Sequence, residues 1–302
     1  MENQALDDYF GYTEAGSSLE GEMRAGLTTF LTMAYILVVN PQFLSLSFAP
    51  GVGIPFDQAL FATAMAAFVG CTIMGLWANQ PYALAPGMGL NAYFAFTVVL
   101  TQGIAWELAL AAVLVEGVLF LIISLPQIGW RTEMINSIPK DLKIATMAGI
   151  GMFLAIIGLR EMGWIVDNGA TLVDLGASGA WTHQSGELWA MIGLLAIGVM
   201  MARGMKGAII YGIAGVTAIA WILGAMDMAV TDPYNGVAAV SAPAMGDVFS
   251  TDGFDTGAVG ASLSALGDVN GDTIGAFILV MITFLFVDIF DTAGTLYGVG
   301  KM

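Results

Sequence analysis

Leu108-Ala109-Leu110-Ala111-Ala112-Val113-Leu114-Val115-Glu116-Gly117-Val118-Leu119-Phe120-Leu121-Ile122-Ile123-Ser124-Leu125 is an apolar run carrying a single charged side chain, Glu116. A bilayer core of about 30 Å takes roughly 17–25 apolar residues of helix, so the run reads as a membrane span. Seven other stretches qualify or come close: Ala25–Leu46, Gln58–Ala78, Ala83–Leu100, Ile144–Leu159, Leu188–Ala202, Gly207–Met226 and one from Thr273. Composition agrees. Of 302 residues, 58% are hydrophobic and 11% charged, against about 45–50% and about 25% in soluble domains. Too little polar surface remains for an ordinary soluble enzyme or a disordered chain. A net charge of −16 excludes a nucleic-acid binder, which needs basic patches. Cys71 stands alone, so neither an internal disulfide nor a paired-cysteine metal site is available. The fold class is an all-α polytopic membrane protein.

Lys and Arg collect in short cytoplasmic loops. With the N-terminus inside, Arg24, Arg131, Lys140, Lys143, Arg203, Lys206 and Lys301 all fall on the cytoplasmic side, and only Arg160 falls outside. The polar tail 1–23 lacks the build of a signal peptide. Asp167, Asp174 and Glu187 lie in one external loop with His183, read as a solvated surface histidine. Asp227, Asp232, Asp247, Asp252, Asp255, Asp268 and Asp272 lie in the other, 227–272, which is rich in Gly, Ser and Ala. These acids read as a solvated face. The other reading is a vestibule that concentrates cations.

Two stretches break the apolar pattern. The first is Pro81-Tyr82-Ala83-Leu84-Ala85-Pro86-Gly87-Met88-Gly89-Leu90-Asn91, which cannot be regular helix because Pro removes a donor and Gly favours irregular backbone. An extended segment entering the membrane, followed by a half-helix from near Asn91, is the expected form. Such backbone is tolerated at membrane depth only where it is buried or lines a cavity, and interrupted spans point to transporter binding sites. The plainer reading is a kinked packing helix. The second break is Asp288-Ile289-Phe290-Asp291-Thr292. Two carboxylates three apart share one helical face, and a charge there costs about 2.5–3.5 kcal/mol on insertion scales. In a helix starting near Thr273, Asp288 is about 22 Å deep. A ligand or proton role is expected for Asp288; Asp291 is equally well a structural partner of Thr292 or Thr295. Glu116 is a third intramembrane acid, read either as a proton site or as packing against a polar partner. Thr28, Thr29, Thr32 and Asn40 reach the same cavity or, by default, bond their own backbone.

Three motifs carry a resemblance. Gly26-Leu27-Thr28-Thr29-Phe30-Leu31-Thr32-Met33-Ala34-Tyr35-Ile36 with Val39-Asn40-Pro41, then Ala85 to Phe94, then Asp288 to Leu296 resemble the adenine/guanine/hypoxanthine permease branch of the nucleobase–cation symporters, from about residue 22 onward. The resemblance implies an elevator-type importer of purine bases coupled to protons, with fourteen spans in two inverted seven-helix repeats. Residues 24–126 would then hold core spans 1–4, 127–226 gate spans 5–7, and 273–302 core span 8, so that eight spans of fourteen are present and the chain is an N-terminal portion. By the same resemblance Gly89, Asn91 and Asp288 contact substrate, and Asp291 supports Asp288. Thr292 and Glu116 join Asp291 as supporting or proton-coupling residues.

A purine offers ring N–H donors and ring nitrogen acceptors. A carboxylate serves the former, and Asn or backbone N–H groups serve the latter. Phe30, Tyr93, Phe94 or Phe286 supply apolar walls. An Asp neutral in one state and ionised in another couples proton to substrate. The expected partners are a purine base, the lipid bilayer of the plasma membrane and, by resemblance, a second copy through the gate region. No cofactor and no metal are expected; the energy source is the proton gradient, with sodium as the alternative ion. Three rivals stand beside this reading. An intramembrane aspartyl protease would use Asp288 and Asp291 but needs them on separate helices. An anion transporter of the same architecture would be repelled by Asp288. A non-transporting structural membrane protein is the third.

Overall fold

A computed structural model describes residues 4–46, 49, 51–176, 186–205, 207–225, 231–232, 236–237, 257–271 and 273–299. His183, Lys206, Lys301 and most of the acidic loop 227–272 lie outside them.

Among the described residues the helices are α1 (Gln4–Phe10), α2 (Leu19–Met33), α3 (Ile36–Ser45), α4 (Phe56–Thr72), α5 (Met88–Ala92), α6 (Trp106–Ser124), α7 (Trp130–Ser137), α8 (Lys140–Glu161), α9 (Gly186–Ala202), α10 (Ala208–Ala225), α11 (Gly257–Ala265) and α12 (Ile274–Val299). Helix α4 runs on as a π-turn over Ile73–Trp77, and α5 as π-helix over Tyr93–Thr101. Five helical stretches are long and apolar enough to cross a membrane: Leu19–Ser45, Phe56–Trp77, Trp106–Ser124, Lys140–Arg160 and Ile274–Gly294. Met88–Thr101, Gly186–Ala202 and Ala208–Leu223 are shorter apolar helices that overlap the three remaining predicted stretches.

Local chemistry explains the ends. Ser18 accepts a hydrogen bond from the Gly21 N–H, 3.2 Å, and so caps α2. Asn79, at φ 49°, closes the π-turn of α4 in the left-handed conformation that Asn tolerates. Beyond it, residues 79–87 carry no helix, and α5 starts at Met88, three residues before the expected position. Gly87 precedes it in extended conformation, φ −72° and ψ 116°.

Two compact units result. One comprises 1–37, 63–85 and 159–245. In it α9 packs on α10 through glycines: a Cβ on Gly193 would lie 2.5 Å from Val216 Cγ2, and one on Gly212 would lie 2.1 Å from Ile197 Cγ1. Small residues let membrane helices approach this closely. The Cys71 thiol meets both the N–H and the carbonyl of Leu84, at 3.1 and 3.2 Å, tying the extended segment to α4. The second unit comprises 38–62, 86–158 and 246–302. Its core gathers Leu46, Ile54, Phe94, Val98, Ala109, Ala112, Ala258, Val280 and Phe284. Ala109, Ala111 and Ala112 are fully buried, and α6 packs against both α11 and α12.

Two departures from the all-α expectation lie in the loops that charge counting reads as external. Strands β1 (Ile165–Asn168) and β2 (Leu172–Leu175) pair antiparallel, with Asn168 opposite Leu172. The Asn168 side-chain oxygen accepts from the N–H groups of Ala170 and Thr171, which forms the turn. Thr231–Asp232 and Gly236–Val237 form a second, shorter ladder. The loop 227–272 also contains a helix, α11. Its small residues Ala258, Ser262 and Ala265 are buried, so close packing rather than amphipathic patterning holds it.

Candidate functional site

The second sequence break meets the later part of the first, residues 86–91, inside the second unit. The backbone of Gly87 approaches α12 so closely that a Cβ there would stand 3.2 Å from Asp291 Oδ2. Gly87 thus sets the end of the non-helical segment against Asp291. Gly89, one residue into the first turn of α5, has open space on its Cβ side, with no atom within 4 Å.

Asn91 sits on the same turn. Its backbone N–H is satisfied by the Gly87 carbonyl at 3.1 Å, which leaves its side chain for other partners. Asn91 Nδ2 donates to Asn40 Oδ1 at 2.6 Å. Asn40 lies on α3, is 1% exposed, and precedes the fully buried Pro41. The other polar residues of the first span behave by the default reading: Thr28, Thr29 and Thr32 donate to backbone carbonyls one turn earlier in α2.

On α12, Thr292 hydrogen-bonds Asp288, and Asp291 is a charged neighbour of Asp288. Glu116 on α6 faces the same place, with Asp288 as its charged neighbour. Glu116 is 6% exposed, and its Oε1 has no hydrogen-bond partner among the described residues. Three carboxylates and a threonine hydroxyl therefore share one region of the helical core. Among the described residues, one cation answers Asp288. Arg131 on α7 lies over the Phe120 ring, 4.9 Å from its centroid, and its charge reaches Asp288. Sequence reasoning placed Arg131 in a cytoplasmic loop, because the charge rule that fixes topology gives no sign of a side chain turned back into the bundle.

Tyr93 stacks edge-on against Phe284, ring centroids 5.5 Å apart. Phe94 is 4% exposed within the core and meets Phe284 at 6.4 Å. Phe30 belongs to the other unit and, like Phe286, is 54% exposed. The structure thus sets Gly87 against Asp291, and Glu116 and Thr292 against Asp288, with Gly89 and Asn91 on the turn that follows Gly87 and Tyr93 on Phe284. Asn40 follows the cavity reading rather than the backbone one, and Arg131 and Phe284 are neighbours that the sequence does not announce.

A multi-pass helical membrane protein with an interrupted span laid against intramembrane carboxylates is the architecture of a solute carrier. The chain belongs to the xanthine/uracil permease family, a permease family whose pattern it matches over residues 20–302. It is similar to the guanine/hypoxanthine permease PbuO of Bacillus subtilis, 39% identical over 97% of this chain and 61% of the relative. It is also similar to the adenine permease AdeP of Escherichia coli, 34% identical over 97% of this chain and 59% of the relative. A third relative, the guanine/hypoxanthine permease PbuG of Bacillus subtilis, is 37% identical over 97% of this chain and 62% of its own length. The chain spans about three-fifths of the length of these curated relatives. The expected resemblance to adenine, guanine and hypoxanthine permeases is thereby met, and these are transport proteins rather than enzymes.

Proposed function

We propose that the chain carries purine nucleobases across the plasma membrane together with protons, and that Asp288, Asn91 and the backbone at Gly89 supply its share of the substrate site. The observation that supports this most is the contact of Gly87 with Asp291. It sets the interrupted span, with its open face at Gly89, against the carboxylate helix. The names of the relatives, adenine and guanine/hypoxanthine permeases, supply the substrate class.

The chemistry follows from the groups present. An ionised Asp288 accepts from purine N–H groups, and the Asn91 amide offers a donor and an acceptor to the rest of the edge. Thr292, bonded to Asp288, fixes the rotamer of the carboxylate. The flat ring of the base packs beside Tyr93. Glu116, buried and one helix away, is the group proposed to take the coupled proton, with Asp291 supporting Asp288. A homodimer through 127–226 and a cytoplasmic N-terminus belong to the same proposal. Asp288 and Asp291 lie on one helix, an arrangement that does not suit an aspartyl protease.

The test is purine-driven proton movement. Proteoliposomes holding the protein made from its complete reading frame, loaded with a pH-sensitive dye, should acidify when hypoxanthine is added outside. Hypoxanthine entry with no change in internal pH would remove proton coupling, and no entry would remove the substrate class.

A further inference from the structure

The hydrogen bond between Asn91 and Asn40 links two spans through residues 51 positions apart. Asn40 sits where few polar side chains are found: 1% exposed, in an apolar helix, next to a proline that removes one backbone donor from the helical ladder. A buried amide in such a place is retained at a cost unless its polar atoms are used. Its side-chain oxygen is used by Asn91 at 2.6 Å.

We propose that Asn40 is a positioning residue that sets which end of the Asn91 amide the substrate meets, and thereby the preference between 6-oxo and 6-amino purines. Rotating the Asn91 amide by half a turn would put its oxygen in place of its nitrogen, leaving two acceptor oxygens 2.6 Å apart. That arrangement is repulsive, so Asn91 keeps this sense for as long as the Asn40 amide keeps its own. Asn91 is left with its side-chain oxygen and one N–H in a fixed order. A 6-oxo purine carries an acceptor at C6 and a 6-amino purine a donor, so an amide of fixed sense discriminates between them and a freely turning one does not. The inference rests on Asn91 contacting the substrate, as proposed above.

The experiment measures KM and Vmax for hypoxanthine and adenine uptake, per molecule in the membrane, for the protein expressed from its complete reading frame. Wild type is compared with Asn40→Ala, Asn91→Ala and the double variant. Asn40→Ala is expected to bring the ratio of the two KM values at least about threefold closer to one, with Vmax little changed. The double variant should match Asn91→Ala, because Asn40 acts only through Asn91. Asn40→Asp, which keeps an oxygen where Asn91 needs it, should keep the wild-type ratio. Asn40→Ser, whose hydroxyl is too short to reach Asn91, replaces the alanine variant should that one fail to reach the membrane. An unchanged KM ratio in Asn40→Ala, or effects of the two alanine substitutions that multiply, would overturn the positioning role while leaving the purine site standing. An Asn91→Ala variant with both KM values unchanged would overturn the substrate contact itself, and this inference with it.

Discussion

Gly87 faces Asp291 so closely that a β-carbon would stand 3.2 Å from the carboxylate oxygen Oδ2. Glycine here is a matter of space, since φ is −72° and any residue could adopt the backbone. Gly87→Ala would push Asp291 by a few tenths of an ångström, an overpacking that costs about 1–3 kcal/mol in close-packed interiors. Purine uptake is expected to fall about tenfold, with the amount of protein in the membrane unchanged. Uptake at the wild-type level would show that Asp291 has room to move without consequence.

Gly89 gives the contrasting case. A methyl group there meets nothing within 4 Å, so Gly89→Ala should leave membrane levels and thermal stability as they are. Its effect should be on substrate alone, as a raised KM at unchanged Vmax. A drop in stability would place Gly89 in packing rather than at the site.

Glu116 separates coupling from translocation. It is buried, and its Oε1 lacks a hydrogen-bond partner among the described residues. Glu116→Gln keeps the shape and removes the proton chemistry. The variant should still exchange internal for external hypoxanthine but should not accumulate it against a gradient. Uphill accumulation at the wild-type level would assign the proton to another group.

Gly212 probes packing within the other unit. A side chain on Gly212 collides with Ile197, its β-carbon lying 2.1 Å from Cγ1. Gly212→Leu should therefore separate α9 from α10, lower the melting temperature in detergent, and cut the yield of folded protein. The KM of the protein that survives should not move. A changed KM with normal yield would mean that this helix pair acts on the site.

The membrane class and the positions of the apolar helices were legible because hydropathy and length alone determine them. Both site segments were legible for a related reason: prolines and glycines at Pro81–Gly89, and carboxylates at Asp288 and Asp291, are costly in a bilayer and stand out against it. What the sequence concealed was pairing. Nothing in the chain says that the oxygen of Asn40 serves Asn91 rather than its own backbone, as the neighbouring threonines do. Arg131 looked like a loop cation because charge counts carry no side-chain direction. The hairpin at Ile165–Leu175 rests on strands of four residues each, too short to show alternation. Helix α11 is built of small residues whose burial follows from close approach, which no periodicity records.

The most direct measurement is uptake of radiolabelled hypoxanthine by cells lacking their own purine permeases. They would express the complete reading frame either as wild type or as Asp288→Asn, with membrane levels matched by immunoblot. Wild-type uptake with none above background in the variant is the predicted result. Equal uptake by both would contradict the placement of the substrate at Asp288, on which the whole account depends.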